Sequence, residues 1–356
     1  MAENGNPAPA DGIDASAPAG TRMFAEAAEA SEAVARQERD AAGLARIGKA
    51  LRARAPRLVM TCARGSSDHA ATFAKYAIET RLGVPVASAA PSVASVYAAP
   101  LRARDALCIA ISQSGRSPDL LATVTSLKTA GAFVLALVND MESPLCDIAD
   151  EVVGLDAGPE RSVAATKSFI ASLSAIVRLV AEWSDDGALR TELRTLPSLL
   201  SQAWALDWSA LSDGLIDARD LYVLGRGLGL GIAQEAALKL KETSQLHAEA
   251  FSTAELRHGP MALVRPGFPV VLFRQSDETG RSVEEAAAAL AEQGARVFLA
   301  GGQAAGAVSL PTTSCAALIE PIVQVQSFYR AANALALARG LDPDKPPHLA
   351  KVTKTL

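Results

Sequence analysis

The chain has 356 residues, enough for two domains, because single hydrophobic cores rarely grow beyond roughly 250–300 residues. Its formal charge is −5, and no Lys/Arg-rich run or basic–aromatic stripe occurs, so we expect no nucleic-acid partner. The four cysteines form no CxxC pair and have no His cluster beside them, which predicts neither a zinc site nor a disulfide framework. We therefore expect no metal, no other cofactor and a reducing, cytoplasmic setting.

The first strand–loop–helix unit follows an N-terminal stretch that is rich in Ala, Pro, Gly and Asn. This stretch lacks an apolar h-region and predicts a disordered tail over residues 1–22. Short apolar runs then predict strands at 58–65, 107–115 and 134–138, a weaker strand at 152–155 and a closing helix at 166–183. Arg178 interrupts that helix, which is too short to cross a bilayer, so we expect no membrane association.

The second half of the chain repeats the first at an offset of 162 positions (226 − 64). Arg64-Gly falls on Arg226-Gly, and Gln113-Ser falls on Gln275-Ser. One residue further adrift, the strand at 134–138 matches a strand at 297–301. A weaker strand at about 308–310 and a helix at 318–339 follow. Apolar strands that alternate with helical patterns are typical of an α/β fold with helices on both faces of a parallel sheet. The helical stretch 186–206, which contains Pro197, is predicted to connect the two units.

A serine-rich loop follows the 107–115 strand and contains Ser112, Gln113, Ser114 and Ser117. Pro118 then fits the first turn of a helix, whose free N–H groups and dipole favour a phosphate. An ordinary polar turn with a serine cap accounts for this loop equally well when it is taken alone. A second loop, Gly65-Ser66-Ser67, follows the first strand and is predicted to lie beside it, which favours a phosphosugar over a dinucleotide, since no GxGxxG follows that strand. The Gly225–Gly229 run is interpreted as a tight turn.

A third group of polar residues lies on the helix after that turn. Glu235, Lys239 and Glu242 are spaced by four and three, so they share one helix face. Taken alone, such a set is most often a solvated, salt-bridged face, and a His such as His258 before Gly-Pro is most often structural.

Together these segments resemble the SIS (sugar isomerase) domain family, from about residue 47 to the end. The chain resembles the isomerase half of glucosamine-6-phosphate synthases, and over its whole length it most resembles stand-alone SIS-type glucosamine-6-phosphate deaminases. The matching segments are TCARGSSDHA (61–70), SQSGRS (112–117), AGPERSVAATKSF (157–169), LGRG (224–227), EAALKLKETSQLHAEAFSTAELRHGPMAL (235–263) and LAKVT (349–353).

The resemblance implies two tandem SIS domains, each a flavodoxin-like three-layer sandwich, over residues 23–190 and 207–346, with an active-site tail at 347–356. It implies phosphate contacts from Ser67, Ser112, Gln113, Ser114 and Ser117. Sugar contacts are implied for Ser66 and for the backbone at Val163 and Ala164. Ala165 replaces a family Ser, so one sugar contact is lost.

The resemblance also implies catalytic roles. Glu242 matches the base that moves a proton between C1 and C2, and Lys239 matches its neighbour near O1. His258 matches the ring-opening histidine supplied by the partner subunit of a homodimer, so the active site is expected at the subunit interface. Lys351 matches a tail lysine that can form a Schiff base with the open-chain ketose, or can only close the site.

The predicted reaction is the conversion of glucosamine 6-phosphate and water to fructose 6-phosphate and ammonia. It follows from the absence in this sequence of the synthase's glutaminase segment. Two alternatives are a fructosamine-6-phosphate deglycase or another amino-sugar-phosphate isomerase, and a non-catalytic phosphosugar sensor. The two units are expected to differ, because the second loop contains Asp277 and Glu278, which would repel a phosphate.

Overall fold

The computed structural model describes residues 18–351, so most of the predicted tail 1–22 and residues 352–356 lie outside it. Residues 18–22, which the prediction included in that tail, are structured. A 3₁₀ helix spans Pro18–Gly20, and α1 (Arg22–Ala28) begins behind Thr21, whose hydroxyl accepts the N–H of Phe24. Two further helices, α2 (Ala30–Arg36) and α3 (Ala41–Arg54), precede the first strand, with a 3₁₀ turn, Gln37–Asp40, between them.

The first unit, residues 59–183, alternates strands and helices. It contains β1 (Val59–Cys62), α4 (Ser66–Leu82), β2 (Val86–Ser88), α5 (Pro91–Ser95), β3 (Leu107–Ser112), α6 (Pro118–Thr129), β4 (Phe133–Val138), α7 (Pro144–Ile148), β5 (Glu151–Gly154) and α8 (Lys167–Trp183). The connection contains α9 (Gly187–Leu193), α10 (Leu196–Ala205) and α11 (Ser209–Leu215). The stretch 186–206 is helical, as predicted, with Pro197 in the first turn of α10, where a missing N–H costs nothing.

The second unit, residues 220–338, has the same plan. It contains β6 (Asp220–Gly225), α12 (Gly229–Ser244), β7 (His247–Ser252), β8 (Pro269–Phe273), α13 (Gly280–Glu292), β9 (Arg296–Ala300), β10 (Val308–Leu310) and α14 (Glu320–Ala338). Short 3₁₀ helices, Glu255–His258 and Pro260–Leu263, lie between β7 and β8.

Both sheets have five parallel strands in the same spatial order. The first reads β2-β1-β3-β4-β5, and the second, read from its other edge, is β7-β6-β8-β9-β10. This 2-1-3-4-5 order is the flavodoxin-like one, and it confirms the predicted pair of tandem α/β units. Ligands of such sheets bind beyond the carboxyl ends of the strands at the order switch, here between β1 and β3, where Cys62 pairs with Ala110.

The edge strands β2 and β7 were absent from the prediction, which gave each unit four strands. Val86 is the only buried residue of the three-residue β2, and the six residues of β7 include exposed His247 and Glu249. Edge strands are commonly short and polar because a long apolar edge invites aggregation, so they carry little of the apolar signal that identifies a central strand.

A continuous apolar core joins the two units through α4, α8, α12 and α14. Helix α8 is buried on almost its whole circumference, which explains its strongly apolar composition, and Arg178 pairs with Glu38 at 2.6 Å. No helix within residues 18–351 is long and apolar enough to cross a membrane. Helix α1, which the predicted boundaries assign to the first domain, packs on α14 of the second unit.

Candidate active site

The serine-rich loop between β3 and α6 is fixed by its own hydroxyl groups. Ser112 Oγ accepts the N–H of Gly115 at 2.9 Å, and Gly115 has a left-handed φ of 61°. A Cβ at Gly115 would collide with Ser143 Oγ, so only glycine fits this turn. Ser117 occupies the predicted N-cap position, but its side chain makes no capping hydrogen bond. The loop therefore leaves the Ser117 hydroxyl available to an anion, whereas the Leu120 N–H in the first turn of α6 donates to Asp119 Oδ1 at 2.8 Å.

The predicted loops lie side by side because β1 and β3 are neighbours. Gly65, at φ 56°, ends the turn after β1, and Ser66 and Ser67 begin α4. Helix α12 approaches α4 closely, since a Cβ at Gly231 would lie 2.7 Å from the His69 carbonyl oxygen. This approach brings the polar face of α12, from the second unit, against the serine loops of the first.

The polar face of α12 is buried, unlike the solvated face that the spacing of Glu235, Lys239 and Glu242 indicates when it is taken alone. Side-chain exposure is 0% for Glu235, 1% for Lys239 and 18% for Glu242. The reason is that α12 packs between α4 and α14, so its charged face meets protein instead of solvent.

The buried charges of α12 satisfy one another. Lys239 Nζ lies 2.5 Å from Glu242 Oε2 and 3.4 Å from Glu235 Oε1, and it donates to Ser66 Oγ at 3.1 Å. Glu235 also accepts hydrogen bonds from Ser66 Oγ and from the hydroxyl of Tyr329, and its Oε2 lies 3.1 Å from His69 Nδ1. A buried carboxylate with this many partners holds its neighbours in one geometry.

Two pKa values in this cluster move in opposite directions. Burial alone would lower the pKa of Lys239, but the Glu235 and Glu242 carboxylates outweigh it and raise that pKa. Burial alone would raise the pKa of Glu235, but Lys239 and His69 outweigh it and lower that pKa. Lys239 is therefore an ammonium and Glu235 a carboxylate across the neutral range.

The tail lysine, Lys351, reaches the same site from the C-terminal side. Its Nζ donates to the Ser162 carbonyl at 2.6 Å and lies 3.5 Å from Glu160 Oε2. Glu160 is buried and also accepts the N–H groups of Thr166 and Ser168. Glu26 of α1 accepts the N–H groups of Arg161 and Ser162. The 160–168 segment is thus held by carboxylates on both sides.

One cavity of about 220 Å³ brings most of the predicted site residues together. Its lining includes Ser66, Ser67, Ser112, Gln113, Ser114, Ser117, Val163, Lys239, Glu242 and Lys351. Ala164 is buried and does not line the cavity, whereas Ala165 does. His258 is exposed on its 3₁₀ helix and does not line the cavity within this chain.

Several lining or supporting residues were missed from the sequence. Arg64 and Ser168 line the cavity, and Glu235, His69 and Tyr329 support it from behind. Glu235 was recognised in the helical spacing but received no role, because spacing does not reveal burial. Tyr329 lies 94 positions from Glu235, and no sequence pattern connects the two.

The equivalent loop of the second unit is occupied by the chain's own carboxylates. Ser276 N–H donates to Glu320 Oε2 at 2.6 Å, and Asp277 Oδ1 accepts from both the N–H and the hydroxyl of Thr279. Gly225 and Gly229 form the predicted tight turn, since a Cβ at Gly225 would collide with the Gly229 carbonyl oxygen. The two units therefore share a fold but present different chemistry.

Comparison with known proteins agrees with this architecture. The SIS domain model matches residues 54–181 and 214–337. A glutamine–fructose-6-phosphate aminotransferase (isomerizing) from Gluconobacter oxydans is 35% identical over 324 residues, covering 84% of this chain and 52% of the relative. The chain thus spans about half the length of that relative.

Solved structures of sugar-phosphate enzymes are also similar to this chain. A candidate phosphosugar isomerase from Silicibacter pomeroyi DSS-3 is 45% identical with a TM-score of 0.87, covering 91% of this chain and 100% of that one. The C-terminal domain of glucosamine-fructose-6-phosphate aminotransferase from Francisella tularensis is 27% identical with a TM-score of 0.83, covering 95% and 100%. Because the family model matches both units, the chain belongs to the SIS domain family.

Proposed function

We propose that this protein is a glucosamine-6-phosphate deaminase/isomerase that acts as a homodimer. The observation that supports this most is the Lys239–Glu242 pair in the same cavity as the serine loop of the first unit. An acid–base pair opposite an anion-binding loop suits a reaction on a phosphorylated sugar, because the phosphate fixes the reacting carbons in front of the base.

Binding is assigned to the first unit. Ser67, Ser112, Gln113, Ser114 and Ser117 hold the phosphate, with the N-terminus of α6 contributing its dipole. Ser66 and the Val163–Ala164 backbone contact the sugar chain. Val163 lines the cavity, whereas Ala164 is fully buried and does not, so Val163 is the better supported of these two contacts.

The proton shift is assigned to the second unit. His258 of the partner subunit opens the ring, since an imidazole exchanges a proton near neutral pH. Glu242 then removes the C2 proton and returns a proton to C1, while the Lys239 ammonium stabilises negative charge at O1. The C1 aldehyde becomes an alcohol and the C2 amine becomes an imine. Water adds to C2 and ammonia leaves, giving fructose 6-phosphate.

The experiment supplies the purified chain with glucosamine 6-phosphate and measures ammonia and fructose 6-phosphate. We expect the two products in equal amounts. Separate reactions with galactosamine 6-phosphate and with a fructosamine 6-phosphate test the epimer and the deglycase alternative, and fructose 6-phosphate with ammonia or glutamine tests the reverse direction. Binding of glucosamine 6-phosphate without turnover of any of these compounds would favour a sensor and contradict the proposal.

A further inference from the structure

Arg64 is a cation that lines the cavity together with the serine loop and has no role in the scheme above. It follows β1, and its Nε donates to Asp119 Oδ2 at 2.8 Å. Asp119 lies in the first turn of α6 and is almost fully buried, whereas the Arg64 side chain is 54% exposed. Among the described residues its Nη nitrogens make no hydrogen bond, so they are available to a ligand in the cavity that Arg64 lines.

The other charged groups of the lining are already paired. Lys239 lies between Glu235 and Glu242, and Lys351 lies beside Glu160. Arg116, within the serine loop, pairs with Asp140 and does not line the cavity. The serine-loop residues that line the cavity offer only neutral donors, although a phosphate monoester carries nearly two negative charges at pH 7.

The internal repeat provides a comparison within the same chain. Arg64 corresponds to Arg226 (64 + 162), but Asp119 corresponds to Arg281 (119 + 162). Arg226 makes no ion pair among the described residues and faces a loop that contains Asp277 and Glu278. Arg64 therefore pairs with the first turn of α6 in the first unit, whereas Arg226 makes no equivalent pair with the first turn of α13 among the described residues.

We propose that Arg64 is a further substrate-binding residue, positioned by Asp119, whose Nη groups contact the phosphate dianion and select phosphorylated over unphosphorylated sugars. The inference rests on the proposed assignment of the phosphate to the serine loop. Asp119 directs the guanidinium through Nε and leaves the outer nitrogens free, and charge-assisted hydrogen bonds from arginine suit phosphate oxygens.

The test compares Arg64→Gln, Arg64→Lys and the matched control Arg226→Gln. We measure KM and kcat for glucosamine 6-phosphate and the Ki of inorganic phosphate as a competitive inhibitor. Arg64→Gln should raise KM and Ki about 10- to 100-fold, as expected for the loss of a charged hydrogen bond, with kcat changed less. Arg64→Lys should recover part of the affinity, and Arg226→Gln should match the wild type.

The inference is overturned if Arg64→Gln leaves KM and Ki unchanged, or if Arg226→Gln weakens both equally. If the wild type shows no turnover, the proposed function fails, but calorimetric binding of inorganic phosphate still tests Arg64. A thermal unfolding midpoint near the wild-type value confirms that the Gln variant folds, as its half-exposed side chain leads us to expect.

Discussion

Lys239 Nζ lies 2.5 Å from Glu242 Oε2, three residues further along α12, and this pair faces the serine loop of the other unit. Glu235 lies beneath the pair and is fully buried. The first unit thus contributes the serine loop, and the second contributes the acid–base groups. Because the equivalent loop of the second unit is not needed for binding, it can be filled by the carboxylates of Asp277 and Glu320.

Replacement of Glu235 should destabilise the protein because it leaves the buried Lys239 with one carboxylate partner fewer. We expect Glu235→Ala to cost about 3–5 kcal/mol of unfolding free energy. Glu235→Gln should cost less, because its amide oxygen still accepts from Ser66 and Tyr329. Urea unfolding at pH 7 measures both. Glu285→Gln is the control, since its i,i+4 partner Arg281 is exposed, and a loss as large as that of Glu235→Gln would contradict the account.

The burial of Glu235 beside Lys239 also predicts that the stability of the protein depends on pH. The lowered pKa of Glu235 means that its stabilisation is present above its ordinary value of 4.5 and is lost as the pH falls through the folded-state pKa. The raised pKa of Lys239 means that its stabilisation is present below 10.5 and is lost as the pH rises through the folded-state pKa. The difference in stability between wild type and Glu235→Gln should therefore shrink below pH 4.5, and a constant difference would be inconsistent with this assignment.

The turn at Gly115 should be intolerant of a side chain. Gly115→Ala places Cβ against Ser143 and disturbs the loop, so we expect KM to rise roughly tenfold or more, equivalent to about 1.4 kcal/mol. Gly83→Ala is the matched control, because Gly83 also has a left-handed φ, 68°, but no atom lies within 4 Å of its Cβ position. It should lose stability without changing KM, and equal KM values in both variants would refute the predicted loop geometry.

The proposed role of His258 in the partner subunit predicts complementation. Glu242→Gln and His258→Asn should each be nearly inactive. Mixed dimers contain one site with both native residues, so unfolding and refolding an equal mixture should restore roughly a quarter of wild-type activity. If dimers that contain one subunit of each variant show no recovered activity, His258 does not act in the active site of the neighbouring subunit.

The central strands, both closing helices and the repeat could be predicted from the sequence because they depend on apolar periodicity. Strands β2 and β7 could not, since their composition is that of exposed edges. The predicted sheet topology was enough to place the two serine loops side by side. It does not reveal that the charged face of α12 is buried. That burial depends on contacts with α4 and α14, which no local pattern contains. For the same reason, the contact of Tyr329 with Glu235 and the Arg64–Asp119 pair could not be predicted from the sequence.

The most direct test of the account is turnover and binding of glucosamine 6-phosphate by Glu242→Gln. The variant keeps the size of the side chain but removes the base, so kcat should fall about 10²- to 10⁴-fold. The dissociation constant from calorimetry should stay near the wild-type value, because the phosphate is held by the other unit. Wild-type turnover, or an equal loss of binding and turnover, would contradict the assignment of Glu242 as the base.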